Sequence, residues 1–246
     1  MKRLLINITL LLTLWESCYY LDVFSGTLPS LFDVIAALLT TKLAVEILIS
    51  LLTTLRISLL GVLIGTLIGY FFGILTGLYP TTLKPPIYSY LNGLKAIPVT
   101  ILLPLILIVF GYQQFATALI SIPIIAIIGV NISEACNGVN KNRVSIIKFL
   151  PLSNLNYWYH ILRWETLIVL FASLRIVISY ALALQIAFEY FLLHVNGIGK
   201  FISLSYGAER YTDTYAAILF VSIIGISLIK LLDIFSKQFL KWKTQT

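Results

Sequence analysis

Three ionisable side chains sit inside apolar stretches of this 246-residue chain, and they are where its chemistry should be sought: Arg56, Arg175 and Glu189. A charge in hydrocarbon is costly, so each needs a partner, a water-filled path or a route to the headgroups. Arg56 and Glu189 both fall towards the outer ends of their stretches and could pair, or each could snorkel separately. Arg175 lies about ten residues into its own stretch, where snorkelling is harder, and suits a polar cavity or an inter-helix carbonyl.

Enzyme constellations are thin. His160 and His194 are the only histidines, and no HExxH, GxSxG or closely spaced pair of carboxylates occurs within an apolar stretch. Metal and serine-hydrolase sites are therefore poorly supported, and no catalytic residue, cofactor or metal ligand is assigned. No GxxxxGK[ST] occurs, so any nucleotide hydrolysis must come from another chain.

The elements that carry these charges must live in lipid. With 59% hydrophobic residues, only 11% charged and a mean hydropathy of +0.98, the chain is an integral membrane protein and all-α. Its net charge of +7 is spread singly between apolar runs and gathers on no face, which excludes nucleic acid as a partner. Cys18 and Cys136 fall on opposite sides of the bilayer in the map below, too far apart for a disulfide or a metal pair.

Leu4 to Tyr20 reads as a first span, uncleaved because Trp15-Glu16-Ser17 makes a poor signal-peptidase site. An amphipathic external helix should follow, with Leu31, Val34, Ile35, Leu38 and Leu39 on one stripe and Asp33 and Lys42 off it. The second span runs from Ile47 to Tyr79 and ends at the prolines of 80–86. Within it Gly61, Gly65, Gly69, Gly73 and Gly77 recur every fourth residue, a stripe on which another helix can approach closely, either as fixed packing or as a moving contact. Spans over 97–111 and 115–132, joined by a turn at Tyr112-Gln113-Gln114, then 166–193 and 214–232, complete six. Threaded alternately, they put most cations inside, with both termini in the cytoplasm.

The longest polar interval, from Asn131 to the start of the fifth span, carries Lys141, Arg143, Lys148 and Arg163. Ser145 to Leu150 predicts one short helix, Pro151 a break, and Ser153 or Asn154 the cap of a second helix through Trp158 and Leu162. Ser145, Ile147, Pro151, Leu155, Trp158, Tyr159 and Leu162 mark a segment suited to a groove on a soluble partner or to the inner leaflet.

Five stretches in one order resemble the permease subunit of ABC importers, of the nitrate/sulfonate/taurine/bicarbonate branch: LWE at Leu14 to Glu16 with the following LPSLFDVIAAL; SLLTTLRISLLGVLIG around Arg56; LKAIPVTILLPLILIVFG from Leu94 to Gly111; Glu134; and SLRIVIS with AFEYFLLHVNGIGKFI. The resemblance implies a type I importer (MetI-like) fold of six transmembrane helices. Residues 1–46 would form the first helix and external linker, 47–235 the permease domain and 236–246 a cytoplasmic tail. It further implies a second permease subunit, identical or not, cytoplasmic ABC ATPase subunits and an external solute-binding protein. The solute would be small, an anion or sulfonate-like compound, and the location the cell (inner) membrane. The family's EAA coupling signature falls on Ser145-Ile146-Ile147, Pro151 and Leu162-Arg163-Trp164, and this chain departs from it at nearly every position. Modified docking and a degenerate, non-transporting scaffold subunit are both compatible with that, and an intramembrane enzyme is the rival from another class.

Overall fold

The computed structural model describes residues 2–138, 156, 158–192 and 195–239. Among them the only regular elements are helical: α1 Lys2–Tyr20, α2 Leu31–Leu39, α3 Thr41–Leu78, α4 Lys84–Ala96, α5 Leu103–Asn137, α6 Arg163–Phe191, α7 Ile198–Gly207 and α8 Tyr211–Phe239. A 3-10 turn, Val99–Leu102, leads into α5, and a π-helical turn, Trp158–Leu162, leads into α6. The chain divides into two compact units, residues 1–55 with 186–227 and residues 56–185 with 228–246; the boundaries fall within α3, α6 and α8.

Four segments are long and apolar enough to cross a bilayer: Thr41–Leu78, Gln114–Asn137, Arg163–Phe191 and Tyr211–Phe239. α4 and the stretch Val99–Gly111 make a fifth if the pair, bent by 95°, is a single broken span. Four or five spans marked by length and composition among the described residues are compatible with the six expected. α1 carries Lys2, Arg3 and Glu16 within its 19 residues and is not among the four. The expected pair over 97–111 and 115–132 is met by Val99–Gly111 and Gln114–Asn137, two helical stretches that run into one another across a kink within α5. The kink lies at Gly111, whose φ of 66° and ψ of 173° are open to glycine but strained for other residues.

A difference follows from proline chemistry. α3 ends at Leu78, just before Pro80, as expected, but Pro85 and Pro86 also begin a helix. They occupy the first turn of α4, where a missing N–H loses no intrahelical bond and the fixed φ favours helix.

In the first unit, α2 starts as its sequence demands. Ser30 accepts a hydrogen bond from the Asp33 amide at 3.1 Å and donates to the Asp33 carboxylate at 2.8 Å. The Glu16 carboxylate on α1 accepts from the Leu31 amide at 2.9 Å, and the Trp15 indole donates to the Pro29 carbonyl at 3.1 Å. Two neighbouring α1 side chains thus satisfy groups that helix entry leaves unpaired. From the expected stripe Val34 is buried, packed with Ile47, Leu51, Ile198 and Phe201, while Ile35 and Leu39 stay exposed.

The second unit is built on the glycine stripe. Cβ atoms added at Gly61, Gly65, Gly73 and Gly77 would lie 2.6–2.8 Å from side-chain atoms of Ile120, Ile124, Ile132 and Cys136, and one at Gly69 would lie 2.7 Å from the Ile125 carbonyl. A four-residue ladder on α3 therefore meets a four-residue ladder on α5, and the missing side chains let the two backbones close together. Polar pairs join the same two helices, Thr76 donating to Ser133 at 2.7 Å and Ser121 to the Gly61 carbonyl at 3.2 Å, and Asn131 of α5 donates to Ser173 on α6 at 2.9 Å. With no water in hydrocarbon, such bonds replace the solvation these groups lose.

Gly69→Ala should lower stability by about 1–3 kcal/mol, since the clash is with a backbone carbonyl that cannot rotate away. Gly93→Ala, in α4 with open space around it, should raise stability by about 0.5–1 kcal/mol. Thermal unfolding of the two variants in detergent measures both.

Candidate functional site

Glu189, near the end of α6, is fully buried. The reading of it as a side chain snorkelling to headgroups is corrected: its carboxylate faces inward, into the first unit. The Thr54 hydroxyl lies 2.9 and 2.7 Å from its two oxygens, and the Gly199 amide donates to it at 3.0 Å. The same hydroxyl accepts from the Ile198 amide at 2.9 Å. Ile198 and Gly199 open α7, so a carboxylate from α6 and a hydroxyl from α3 together take two N–H groups that α7 leaves unpaired, and the negative charge sits at the positive end of the helix.

The segment from Val195 to Gly199 has to come unusually close for this. A Cβ at Gly197 would run into the Glu189 carboxylate, and one at Gly199 into the Ile186 carbonyl and the Glu189 Cβ. Closeness of approach, and not turn geometry, demands glycine at both positions. The resemblance had marked these residues without giving Glu189 a partner; Thr54 carries no sequence signal that separates it from Thr53.

Arg56 is exposed. It stands two residues after Thr54, and positions two apart on a helix do not share a face, so α3 turns Arg56 away from the side on which Thr54 meets Glu189.

In the second unit Arg175 has a partner that sequence reasoning missed. Its Nε lies 2.7 Å from Asp233 Oδ1 on α8, an ion pair without the alignment of a hydrogen bond, and its Nη2 donates to the Ser236 hydroxyl at 3.3 Å. Both side chains are about two-fifths exposed, 46% and 39%. Exposure at that depth is costly against lipid, so this face suits water or another polypeptide. Asp233 is a carboxylate in the last third of an apolar helix, and that was the available signal.

Of the proposed coupling residues, Ser145, Ile147, Pro151 and Leu155 lie outside the described residues, as do Lys141, Arg143, Lys148, the capping Ser153 and Asn154, and the first expected helix over 145–150. Of the second expected helix, Asn156 is helical and Trp158–Leu162 forms a π-helical turn. Leu162 is corrected: it is fully buried in the core with Ile132 and Cys136, so it packs the bundle and offers nothing to a partner. Trp158 is half-buried against the same core and lines an apolar cavity of about 430 Å³ with Tyr70, Phe71 and Tyr79. Tyr159 remains 47% exposed, with the Arg163 guanidinium 3.7 Å from its ring centre and 4.4 Å from that of Trp164. Stacking of that kind orders a cation against an aromatic ring. Glu134, expected to open a loop, is still within α5 and accepts from Tyr88 at 3.0 Å. Among the described residues no three His, Cys, Asp or Glu side chains gather into a metal site.

Fold and site together define a polytopic helical membrane protein in which two charges within apolar helices, Glu189 and Arg175, are matched by its own groups. Residues 69–244 match the family model of binding-protein-dependent transport system inner membrane components, and the chain belongs to that family. In three dimensions it is similar to a methionine ABC transporter in an inward-facing conformation, at 13% identity and a TM-score of 0.67, with 82% of this chain and 98% of that one covered. A second crystal form of that transporter gives 15% identity and 0.68 over the same shares. An amino acid ABC transporter crystallised with histidines gives 18% identity, a TM-score of 0.65 and again 82% and 98%. These likenesses establish the MetI-like permease fold. A comparison with the curated proteins finds no match.

Thr54→Val keeps the shape and removes the hydroxyl that joins Glu189 to Ile198, and it should cost about 1–3 kcal/mol. Thr54→Ser should cost much less. Thermal unfolding, together with proteolysis rates around residues 195–199, checks the difference.

Proposed function

We propose that the chain is the membrane-spanning permease subunit of an ATP-driven ABC importer. It pairs with a second permease subunit, the same or a different chain, receives solute from an external binding protein and is moved by cytoplasmic ATPase subunits. The family match over 69–244 carries this reading, because it covers the polar interval before α6 as well as α8. The chain supplies no chemistry of its own. It supplies a two-state path whose states are biased from both sides.

The solute is small and, following the sequence resemblance, an anion or a sulfonate-like compound. Arg175 would lie in or beside the path: its half-exposed face is ill suited to lipid, and its guanidinium still has donors beyond those given to Asp233 and Ser236. Arg56 belongs at the outer mouth. Glu189 acts beside the path as the anchor of α7 and does not contact solute. The glycine ladder offers the close, side-chain-free contact along which α3 and α5 could shift between states.

Coupling runs through the interval ending at the π turn, in modified form, since the usual signature residues are replaced. Tyr159 presents the aromatic anchor and Arg163 its charge. The termini are placed in the cytoplasm and the protein in the cell (inner) membrane.

Co-expression with its ATPase, followed by co-purification and ATP turnover, tests this reading. Tyr159→Glu should reduce co-purification and turnover at least about tenfold, the equivalent of 1.4 kcal/mol, while the isolated chain stays folded and loses no more than about 0.5–1 kcal/mol with the Arg163 stacking. Intact co-purification with this variant, or a chain that never recruits an ATPase, contradicts it.

A further inference from the structure

We propose that the cleft between the first turns of α3 and the start of α7 is a binding site for a small zwitterion, a ligand bearing an ammonium group and an anionic oxygen group a short distance apart. The α3 wall is one helix face, Glu46, Ser50 and Thr53; the other wall follows Asn196, Lys200 and Phe201. The cleft is open on one side and holds about 330 Å³, near the lower end of small-molecule sites, which begin at about 300 Å³. A small polar ligand fits that scale.

The charges decide its class. Each wall carries one charge of opposite sign, and the two are not joined: the Lys200 ammonium donates to Asn196 Oδ1 at 3.0 Å, and Glu46 makes no ion pair among the described residues. A ligand with a single charge would satisfy one wall and face the like charge of the other; a zwitterion satisfies both. The hydroxyls of Ser50 and Thr53 add polar contacts between them.

The walls are held before any ligand arrives. Thr53 and the Asn196-Gly197 segment adjoin the buried Glu189–Thr54–Ile198 bonds, and Phe201 is packed into the core of the same unit. Little ordering is then left to be done on binding. At 38 residues α3 is about 57 Å long against about 30 Å of hydrocarbon, so its early turns extend to the polar edge of the bilayer. Both a dissolved amino acid and an ethanolamine phospholipid headgroup present the required chemistry at that level.

The test uses the full chain with Ser50→Cys in a Cys18→Ser background, in phosphatidylglycerol nanodiscs, and reads the rate of alkylation by a neutral thiol reagent. Glycine and glycerophosphoethanolamine are added as probes, with acetate and methylammonium at equal ionic strength as controls. The expected result is a several-fold slowing by at least one zwitterion, or on adding phosphatidylethanolamine to the discs, and little by either control. Glycine acting alone identifies a dissolved zwitterion, and phosphatidylethanolamine acting alone a lipid. Glu46→Gln and Lys200→Gln should each remove the protection, read in each variant as the ratio of its rates with and without ligand, because loss of a neighbouring charge itself shifts the thiolate fraction. Joint reversal by Glu46→Lys and Lys200→Glu should restore it, because a zwitterion can turn around. Protection by no zwitterion, equal protection by a control, or protection that survives Glu46→Gln overturns the proposal. None of these readings needs an ATPase, so their failure and the failure of the importer reading are separate results.

Discussion

Hydrocarbon offers no hydrogen bonds, and the arrangement of this chain depends on that constraint. A polar or charged group that enters a span has to find its partner within protein. Glu189 finds the Thr54 hydroxyl and the start of α7; Arg175 finds Asp233 and Ser236. Unpaired, either charge would cost about 2.5–3.5 kcal/mol or more at the centre of a membrane helix. Paired, they fix which helices are neighbours, because the bonds reach across long sequence separations.

Association between helices in lipid gains nothing from expelling water, so contact area has to come from close fit. The glycine ladder on α3 supplies it. Each missing side chain admits an isoleucine or Cys136 from α5, and the small polar pairs Thr76–Ser133 and Ser121–Gly61 lie along the same contact. Close packing and local polar matching thus support one another in the second unit. In the first unit a buried carboxylate, two glycines and a threonine do the corresponding work at the start of α7.

The sequence made some of this legible and hid the rest for physical reasons. The Ser30-to-Asp33 cap, the apolar face around Val34 and the glycine period are local patterns, and local patterns can be read from neighbours in the chain. Prolines were ambiguous: in a first turn they start a helix as readily as they stop one elsewhere, so α4 was not foreseen. Polar Tyr112-Gln113-Gln114 looked like a turn, yet the backbone departs one residue earlier, at glycine. Partners far apart in sequence were invisible. Thr54 is separated from Glu189 by 135 residues and resembles any other helix threonine. Leu162 was assigned to an exposed face by periodicity, but the π turn changes the register there and puts it in the core. Membership of the transport family, by contrast, was carried by residues spread along most of the chain.

The central claim is that force enters this membrane body from a separate ATPase through the stretch that ends at the π turn. A cysteine at position 159 tests it most directly, by disulfide cross-linking to cysteines placed along the groove of the co-expressed ATPase in native membranes. The account predicts a cross-link whose position in the groove changes when ATP is bound and hydrolysis is blocked. A residue 159 labelled only from the outer side of the membrane, or one that cross-links to no ATPase in either state, would contradict it.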